Sequence, residues 1–375
     1  MDRIWLSSPH MGEKEKEYVA EAFATNWVAP LGPNVDAFEK QLATYLDVNG
    51  VVSLNSGTGA LHLALEILGV KQGDVVICQS FTFAASAFPI TYCKAEPVFV
   101  DSEKDTWNMD PALLKTAIDD QVSKGKKPAA IIVVHLYGMP AKMNEILAIA
   151  DSYGIPLIED AAEALGSTYQ NKACGSFGSV GILSFNGNKI ITTSGGGALT
   201  SNNAELISKT RKISAQAREA VPYYLHKEIG YNYRLSNVLA GIGRGQMEVL
   251  PQRVEKRREI FEFYKNELGS IKGIYFPDEP AGFFSNRWLT TVLFSKDVWK
   301  SGTNEEVRVS LEKLNIETRA LWKPLHQQPV FEACTAYNNG VSDELYETGL
   351  CLPSGSNTTR ESLNLVVSEI KKCLV

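Results

Sequence analysis

Short apolar segments alternate with helical patterns from about residue 50 to about residue 200. The apolar segments are rich in β-branched residues and almost continuously apolar, which is typical of strands that are buried on both faces of a sheet. This alternation predicts an α/β fold with a mostly parallel sheet and helices on both of its faces. The predicted strands are VVSL (51–54), DVVICQ (74–79), AEPVFVD (95–101), PAAIIVVHLYG (128–138), IPLIED (155–160) and SVGILSF (179–185). The helical patterns between them include residues 58–68, 110–125 and 143–154.

The pattern changes towards the end of the chain. The segment LSNVLAGIGRGQMEVL (235–250) predicts a helix, Pro251 predicts a break, and a long charged helix is expected after it. Beyond about residue 270 the predicted strands are shorter, and proline and glycine interrupt the loops. A chain of 375 residues with 44% hydrophobic content is long enough to form two domains. We predict a large domain over residues 1–250 and a smaller C-terminal α+β domain over residues 251–375.

The composition narrows the class of protein. The net charge of −6 and an isoelectric point near 5.6 argue against nucleic acid or a membrane surface as the main partner. We expect neither a secretion signal nor a membrane span, because no apolar run is long enough. The six cysteines are scattered without a C-x-x-C pair, and the five histidines lack metal-ligand spacing, so free thiols and no metal site are predicted. Free thiols suit a reducing compartment, and we expect a cytoplasmic enzyme.

The segment NSGTGALHLAL (55–65) follows a predicted strand and opens a predicted helix. A helix N-terminus at the carboxyl end of a strand is suited to anion binding, because its first backbone N–H groups are free to donate. The dinucleotide pattern G-x-G-x-x-G fails at His62, and the chain contains no G-x-x-x-x-G-K-S/T sequence. A single phosphate held by backbone amides and Thr58 fits better, and a tight turn without a ligand is the alternative.

Three further residues suit one particular cofactor. Asp160 ends a predicted buried strand, where its carboxylate either faces a ligand or only caps a helix over AAEAL (161–165). Lys189 follows another strand in SFNGNK, a position at which an isolated lysine is otherwise a surface residue. Phe83 follows a third strand and offers a flat face for stacking. Pyridoxal phosphate needs these groups in a binding site. A turn binds its phosphate, an acid binds its ring nitrogen, a lysine binds its aldehyde and an aromatic side chain stacks on its ring.

Nearly the whole chain resembles the DegT/DnrJ/EryC1/StrS family of nucleotide-sugar aminotransferases. These are pyridoxal-phosphate enzymes of the aspartate aminotransferase fold, known as fold type I. Each shared motif is weak alone, but the ordered set is highly specific. The motifs that carry the resemblance are NWVAPLGPNVDAFEKQLA, NSGTGALHLAL, SFTFAASA, VVHLYGMP, EDAAEALG, SFNGNK, GYNYRLSNVLAGIGRGQMEVL and LWKPLHQQPVF.

The resemblance implies a role for each matching residue. Lys189 and Asp160 are the implied catalytic residues, with the lysine joined to the cofactor and the acid on the pyridine nitrogen. Phe83 is implied to stack on the ring, and Glu163, at a position that is often glutamine, to contact the ring hydroxyl. Asn232 is implied to reach the cofactor phosphate of the neighbouring subunit, which predicts a homodimer with shared active sites. The other implied phosphate contacts are Gly57, Thr58 and Ser184. The implied substrate contacts are Trp27, Ala29, Pro30, Leu31 and His326.

The resemblance also indicates the reaction. Lys189 favours transamination, because dehydratases of the family have histidine at this position. No late arginine matches the carboxylate-binding arginine of amino-acid aminotransferases, so a keto sugar is the expected acceptor and L-glutamate the expected donor. The segments NWVAPLGP, ETRALWKPLH and LCLPSGS most resemble enzymes that make UDP-4-amino-4,6-dideoxy-N-acetylglucosamine, on the route to bacillosamine-type sugars. The alternatives are a GDP- or dTDP-keto-sugar aminotransferase and a non-catalytic regulator that binds pyridoxal phosphate.

Overall fold

The computed structural model describes residues 2–300 and 302–374. Within these residues, no helix is both long and apolar enough to traverse a membrane. The strands are β1 (Gly50–Leu54), β2 (Val75–Gln79), β3 (Glu96–Val100), β4 (Ala130–Val134), β5 (Leu157–Asp160), β6 (Thr168–Tyr169), β7 (Lys172–Ala173), β8 (Val180–Ser184), β9 (Gly197–Ser201), β10 (Ile274–Tyr275), β11 (Phe283–Phe284), β12 (Thr290–Phe294), β13 (Arg319–Ala320), β14 (Ala336–Tyr337) and β15 (Gly349–Leu352). The α-helices are α1 (Glu15–Ala24), α2 (Pro33–Leu46), α3 (Gly57–Ile67), α4 (Phe88–Tyr92), α5 (Pro111–Ser123), α6 (Met143–Tyr153), α7 (Ala204–Ser214), α8 (Asn237–Glu248), α9 (Leu250–Leu268), α10 (Thr303–Lys313), α11 (Val341–Thr348) and α12 (Arg360–Cys373).

The large sheet has eight strands in the order β1-β9-β8-β5-β4-β2-β3-β14. The strands from β8 to β14 in this order run parallel, whereas β9 runs antiparallel to both of its neighbours. The prediction of a mostly parallel sheet is confirmed. β9 is antiparallel because the chain leaves β8, turns within residues 185–196 and returns beside it. This turn contains Lys189 and places it at the carboxyl end of β8.

Neighbouring residues of β4 pack on opposite faces of the large sheet. Ile132 belongs to the buried cluster that contains Leu65 of α3, whereas Ile131 belongs to the cluster that contains Leu114 of α5 and Ile146 of α6. All five side chains are fully buried. Because helices cover both faces, the strand needs apolar residues at consecutive positions, which explains the continuous apolar runs. Burial of each such side chain contributes about 1.5–3 kcal/mol to stability.

A second, antiparallel sheet forms later in the chain, in the order β10-β12-β15-β13. Tyr264 of α9, Leu311 of α10 and Val367 of α12 belong to the buried cluster that covers it. Helices α8 and α9 are separated at Val249, so the chain breaks two residues before the predicted position at Pro251. Pro251 lies in the first turn of α9, where the N–H group that proline lacks has no helical partner in any case.

Several contacts cross the division that we predicted between residues 250 and 251. Ile4 pairs with Ile316, so the start of the chain lies against the later part. The short strand β14 adds to the edge of the large sheet beside β3. The division itself stays a prediction.

Candidate active site

A cavity of about 290 Å³ lies at the carboxyl ends of β1, β5 and β8. Ligands of open α/β proteins gather at this end of the sheet. Predicted site residues from distant parts of the chain line the cavity, because each of them ends or follows a strand. They are Gly57, Thr58, Phe83, Asp160, Glu163, Ser184 and Lys189.

The N-terminus of α3 forms one end of the cavity. Ser56 caps this helix by accepting a hydrogen bond of 2.9 Å from the backbone N–H of Gly59. A Cβ atom at Gly57 would lie 3.1 Å from the Cβ atom of Ser184, so the close approach of β8 favours glycine here. The N-terminus of a helix carries a partial positive charge and free N–H groups. This end of the cavity is therefore suited to a phosphate.

Asp160 lies on the floor of the cavity at the end of β5. Its Oδ2 atom accepts a hydrogen bond of 2.7 Å from the Ser86 hydroxyl, and its Oδ1 atom accepts one of 3.1 Å from the backbone N–H of Ala162. Burial raises the pKa of Asp160, and the hydrogen bond from Ser86 partly opposes this rise. The alternative that Asp160 caps a helix is wrong, since residues 161–166 form turns instead of a helix.

Lys189 and Glu163 meet inside the cavity. Lys189 Nζ lies 3.6 Å from Glu163 Oε1 and 4.1 Å from the centre of the Trp288 ring. Glu163 Oε2 accepts a hydrogen bond of 2.7 Å from the backbone N–H of Tyr137. Burial raises the pKa of Glu163, and the charge of Lys189 opposes the rise. The lysine amine thus lies between an acid and an aromatic face.

Three aromatic side chains beside the cavity were not assigned a role from the sequence. The Tyr137 ring stacks between Trp288, at 6.4 Å and 18°, and Trp322, at 6.1 Å and 10°. Phe83 lies 5.1 Å from the ring of Trp322. Tyr137 has a φ of 53°, in the left-handed region that costs a non-glycine residue about 1–2 kcal/mol. The Tyr137 hydroxyl accepts a hydrogen bond of 2.8 Å from the backbone N–H of Trp322, which helps to hold Tyr137 in this conformation.

The backbone just before Lys189 is held by a buried network. The carbonyl of Asn188 accepts hydrogen bonds from the Ser7 hydroxyl, at 2.7 Å, and from the indole N–H of Trp288, at 2.8 Å. Arg257 donates to the carbonyl of Trp288 and, at 2.9 Å, to the Ser7 hydroxyl. Arg257 is fully buried, and burial lowers its pKa to about 9. Ser7 and Arg257 are remote from Lys189 in sequence, and no local motif indicated them.

The remaining predicted site residues do not line the cavity of the single chain. Asn232 is exposed and pairs through its backbone with Ala215. Trp27, Ala29, Pro30 and Leu31 lie in the loop between α1 and α2, where the carbonyls of Trp27 and Ala29 accept hydrogen bonds from Asn237. Their roles stay predictions.

His326 lies outside the cavity too, and both of its ring nitrogens have partners in the chain. Nδ1 lies 2.7 Å from the Ser80 hydroxyl, and Nε2 lies 2.9 Å from Asp343 Oδ1. A hydrogen bond between a ring nitrogen and a sugar would have to replace one of these two.

The residues of the cavity fit pyridoxal phosphate by the chemistry of their groups. The N-terminus of α3 and the Ser184 hydroxyl suit its phosphate, and the amine of Lys189 suits its aldehyde. In the part of the chain that the structure describes, Asp160 forms no ion pair within 4.0 Å. Its buried carboxylate therefore has room for a cationic partner, and the protonated ring nitrogen of the cofactor is one.

The DegT/DnrJ/EryC1/StrS aminotransferase family matches residues 9–371. The chain belongs to this family. It is 52% identical over 369 residues to EpsN of Bacillus subtilis (strain 168), which is assigned as a pyridoxal phosphate-dependent aminotransferase, over 97% of this chain and 94% of EpsN. It is 34% identical over 378 residues to GDP-perosamine synthase of Caulobacter vibrioides, over 100% of this chain and 99% of that enzyme. The crystal structure of a DegT DnrJ EryC1 StrS aminotransferase from Brucella abortus matches with a TM-score of 0.89 at 31% identity, over 96% of this chain and 95% of that one.

As a member of the DegT/DnrJ/EryC1/StrS family, the protein is a sugar aminotransferase that uses pyridoxal phosphate. The predicted fold type I is confirmed, because the solved structure of a family member matches nearly the whole chain. The cofactor prediction is confirmed as well. The roles of the individual residues stay predictions.

Proposed function

We propose that this aminotransferase moves the amino group of L-glutamate to the C4 keto group of a UDP-linked 4-keto-6-deoxy-N-acetylhexosamine. The product is UDP-4-amino-4,6-dideoxy-N-acetylglucosamine. The observation that carries the proposal is that Lys189, Asp160 and the N-terminus of α3 line one cavity. The segments NWVAPLGP, ETRALWKPLH and LCLPSGS support the choice of a UDP sugar and of C4 by resemblance.

Five groups hold the cofactor in this proposal. The backbone N–H groups of Gly57 and Thr58 and the hydroxyl of Ser184 bind the phosphate. Phe83 stacks on the ring, and Asp160 holds the proton on the ring nitrogen. When bound, pyridoxal phosphate supplies an aldehyde and an electron-withdrawing ring, which let an amino group pass from donor to acceptor.

Lys189 moves the protons of the reaction. Its Nζ atom would take the proton from the α-carbon of glutamate and return it to the cofactor in the first half-reaction, and would carry a proton from the cofactor to C4 of the sugar in the second. Glu163, 3.6 Å away, stabilises the protonated amine, and the face of Trp288 does the same from the other side. 2-Oxoglutarate leaves between the two half-reactions, so the kinetics are ping-pong.

A homodimer with shared active sites completes the proposal. Asn232 is exposed and makes no side-chain hydrogen bond within the described chain, so its amide is free to reach a partner's cofactor phosphate. Large apolar side chains are exposed near it in sequence and in the loop between α1 and α2, as expected for a surface that a second copy covers. They are Trp27, Val28, Leu31, Tyr223, Tyr224 and Ile229.

One observation favours a second candidate. GDP-perosamine synthase of C. vibrioides matches the chain from end to end at 34% identity, which supports a GDP-keto-sugar substrate. A dTDP-keto sugar is the remaining alternative, because membership of an aminotransferase family argues against the non-catalytic regulator.

Purified holoenzyme with L-glutamate and a panel of UDP-, GDP- and dTDP-4-keto-6-deoxy sugars distinguishes these candidates. We expect 2-oxoglutarate release and an amino sugar with the UDP substrate at a kcat/KM at least about tenfold above the others, which corresponds to about 1.4 kcal/mol of discrimination. A preference for the GDP or dTDP sugar would replace the proposed substrate. No turnover with any of these sugars would refute the proposed substrate.

A further inference from the structure

A second group of reactive side chains lies on α3, outside the cavity. His62 and Glu66 are four residues apart and therefore share one face of the helix, and Cys93 directly follows α4. His62 Nε2 lies 3.7 Å from Glu66 Oε1, and Cys93 Sγ lies 3.9 Å from the same oxygen. The imidazole, carboxylate and thiol groups all lie within 4.8 Å of one another. We call these three residues the α3 cluster.

We infer that the α3 cluster binds one divalent transition-metal ion of the zinc type. Imidazole, carboxylate and thiolate are the ligands that Zn²⁺ prefers, at roughly 2.0–2.3 Å. Tetrahedral ligands at these distances are separated from one another by about 3.3–3.6 Å. The two observed separations exceed this range by only a few tenths of an ångström. The third separation, between His62 and Cys93, is at most 4.8 Å, so binding requires side-chain rotations that bring these two ligands closer together around the ion.

Another cluster with the same three residue types shows what a closed arrangement looks like. His135 Nε2 lies 2.7 Å from Glu159 Oε1, and both side chains are fully buried near Cys174. The backbone N–H of Ala141 donates to His135 Nδ1 at 3.0 Å, and backbone N–H groups, including that of Phe177 at 2.8 Å, donate to Glu159. Hydrogen bonds already satisfy these groups, and no solvent reaches them.

The α3 cluster differs from that closed cluster in two ways: solvent reaches it, and one of its ligand atoms is free to bind an ion. The side chain of Glu66 is 35% exposed, so an ion and a water ligand can reach it. The hydroxyl of Tyr231 donates to Glu66 Oε1 at 3.1 Å, and the hydroxyl of Tyr233 lies 3.4 Å from His62 Nδ1. Hydrogen bonds of this kind orient metal ligands and leave His62 Nε2 free to coordinate. The Tyr92 ring packs edge-to-face against the His62 ring, with 5.5 Å between the ring centres.

Ion binding requires one proton to leave. A cysteine coordinates zinc as the thiolate, so the Cys93 thiol gives up its proton when the ion binds. His62 coordinates as the neutral imidazole. Binding thus converts Zn²⁺ and a thiol into a zinc thiolate and one released proton, with no change of oxidation state. The bound ion links α3 to the end of α4.

Isothermal titration of Zn²⁺ into the purified holoenzyme tests the inference. We expect one ion per chain and about one proton released per ion, read from the dependence of the heat on buffer ionisation. His62→Gln and Cys93→Ser should each weaken binding at least about tenfold. Glu66→Gln, at a partly exposed position, should weaken it as well with little effect on folding. Cys334→Ser is the matched control, a partly buried thiol that is not one of the three cluster residues, and should bind Zn²⁺ as the wild type does.

Two results would overturn the site. One is a wild-type holoenzyme that binds no Zn²⁺ under these conditions. The other is unchanged affinity and stoichiometry in folded His62→Gln and Glu66→Gln proteins, because the ion would then lie elsewhere, for example on the cofactor. Circular dichroism confirms that each variant is folded before titration.

Discussion

The amine nitrogen of Lys189 and a carboxylate oxygen of Glu163 lie 3.6 Å apart inside the cavity. Glu163 is buried, and its second oxygen is fixed by the backbone N–H of Tyr137. The acid thus stabilises the protonated lysine, and the lysine lowers the free-energy cost of the buried carboxylate. This pair belongs to the cofactor-free chain and holds the reactive amine at the place where the cofactor aldehyde is expected.

Replacement of the reactive lysine tests the cofactor attachment. Lys189→Ala should abolish turnover and the long-wavelength absorbance of the bound cofactor, because the amine is the only proposed point of covalent attachment. The matched control is Lys124→Ala, at an exposed position on the end of α5, which should retain wild-type spectrum and activity. Wild-type activity in Lys189→Ala would refute the assignment.

Asp160 should matter for turnover more than for folding. Asp160→Asn should lower kcat by about 10²-fold or more, because a neutral amide does not hold the proton on the ring nitrogen. Steady-state kinetics with saturating glutamate measure the effect. A variant within about twofold of the wild type would show that the carboxylate serves only its hydrogen bonds to Ser86 and Ala162.

The same substitution should change the pH dependence of stability. Burial raises the pKa of Asp160, so the folded cofactor-free chain binds this proton more tightly than the unfolded chain does. The resulting stabilisation is present at low pH and is lost as the pH rises through the folded-state pKa. The cofactor-free Asp160→Asn variant has no carboxyl group at this position, so its stability does not fall in this way as the pH rises. Its Tm relative to the wild type should therefore rise between about pH 4 and about pH 7. A difference in Tm that stays constant or falls over this range would contradict the prediction.

The Ser7 hydroxyl and the Trp288 indole N–H both donate to the Asn188 carbonyl, so the effects of removing them on stability should be coupled. Ser7→Ala and Trp288→Phe each remove one hydrogen bond to this carbonyl, and Ser7→Ala also removes an acceptor of the buried Arg257. Trp288→Phe should therefore lower the free energy of unfolding by about 1 kcal/mol and Ser7→Ala by about 2 kcal/mol. The double variant leaves the carbonyl without either donor. The double variant should therefore lose more free energy of unfolding than the two single variants together, and the difference should be about 1 kcal/mol. Urea unfolding measures all four proteins, and strict additivity would show that the two donors act independently.

Asn232 can be tested by mixing two inactive chains. In hybrid dimers of Lys189→Ala and Asn232→Asp chains, one site carries both lesions and the other carries none if Asn232 acts across the interface. Activity should then recover towards about a quarter of the wild-type value, since about half of random dimers are hybrids. If Asn232 acts within its own chain, every site carries a lesion and mixing restores nothing. That outcome, or an active monomer on dilution, would contradict the shared site.

The prediction of elements from the sequence succeeded wherever local periodicity decides the conformation. Five of the six strands predicted for the large sheet, and the helices predicted between them, lie within a few residues of their predicted bounds, whereas β9 and β14 were not predicted. The segment 128–138 is an exception. Only Ala130–Val134 is a strand, and the chain then bends through a short 3₁₀ helix in which Tyr137 has a positive φ. Apolar character alone did not indicate this bend, because contacts with Glu163 and Trp322 hold it.

The sequence by itself determined the alternation of strands and helices and, by resemblance, the family and its cofactor. It also determined that Asp160 and Lys189 end or follow strands, since both lie beside runs whose periodicity is local. Only the tertiary structure decided the antiparallel course of β9, the Trp288 face against Lys189 and the meeting of His62 with Cys93. These relationships join residues that are far apart along the chain. They arise from how the packed layers bury apolar surface, and a pattern read over one or two turns does not contain that information.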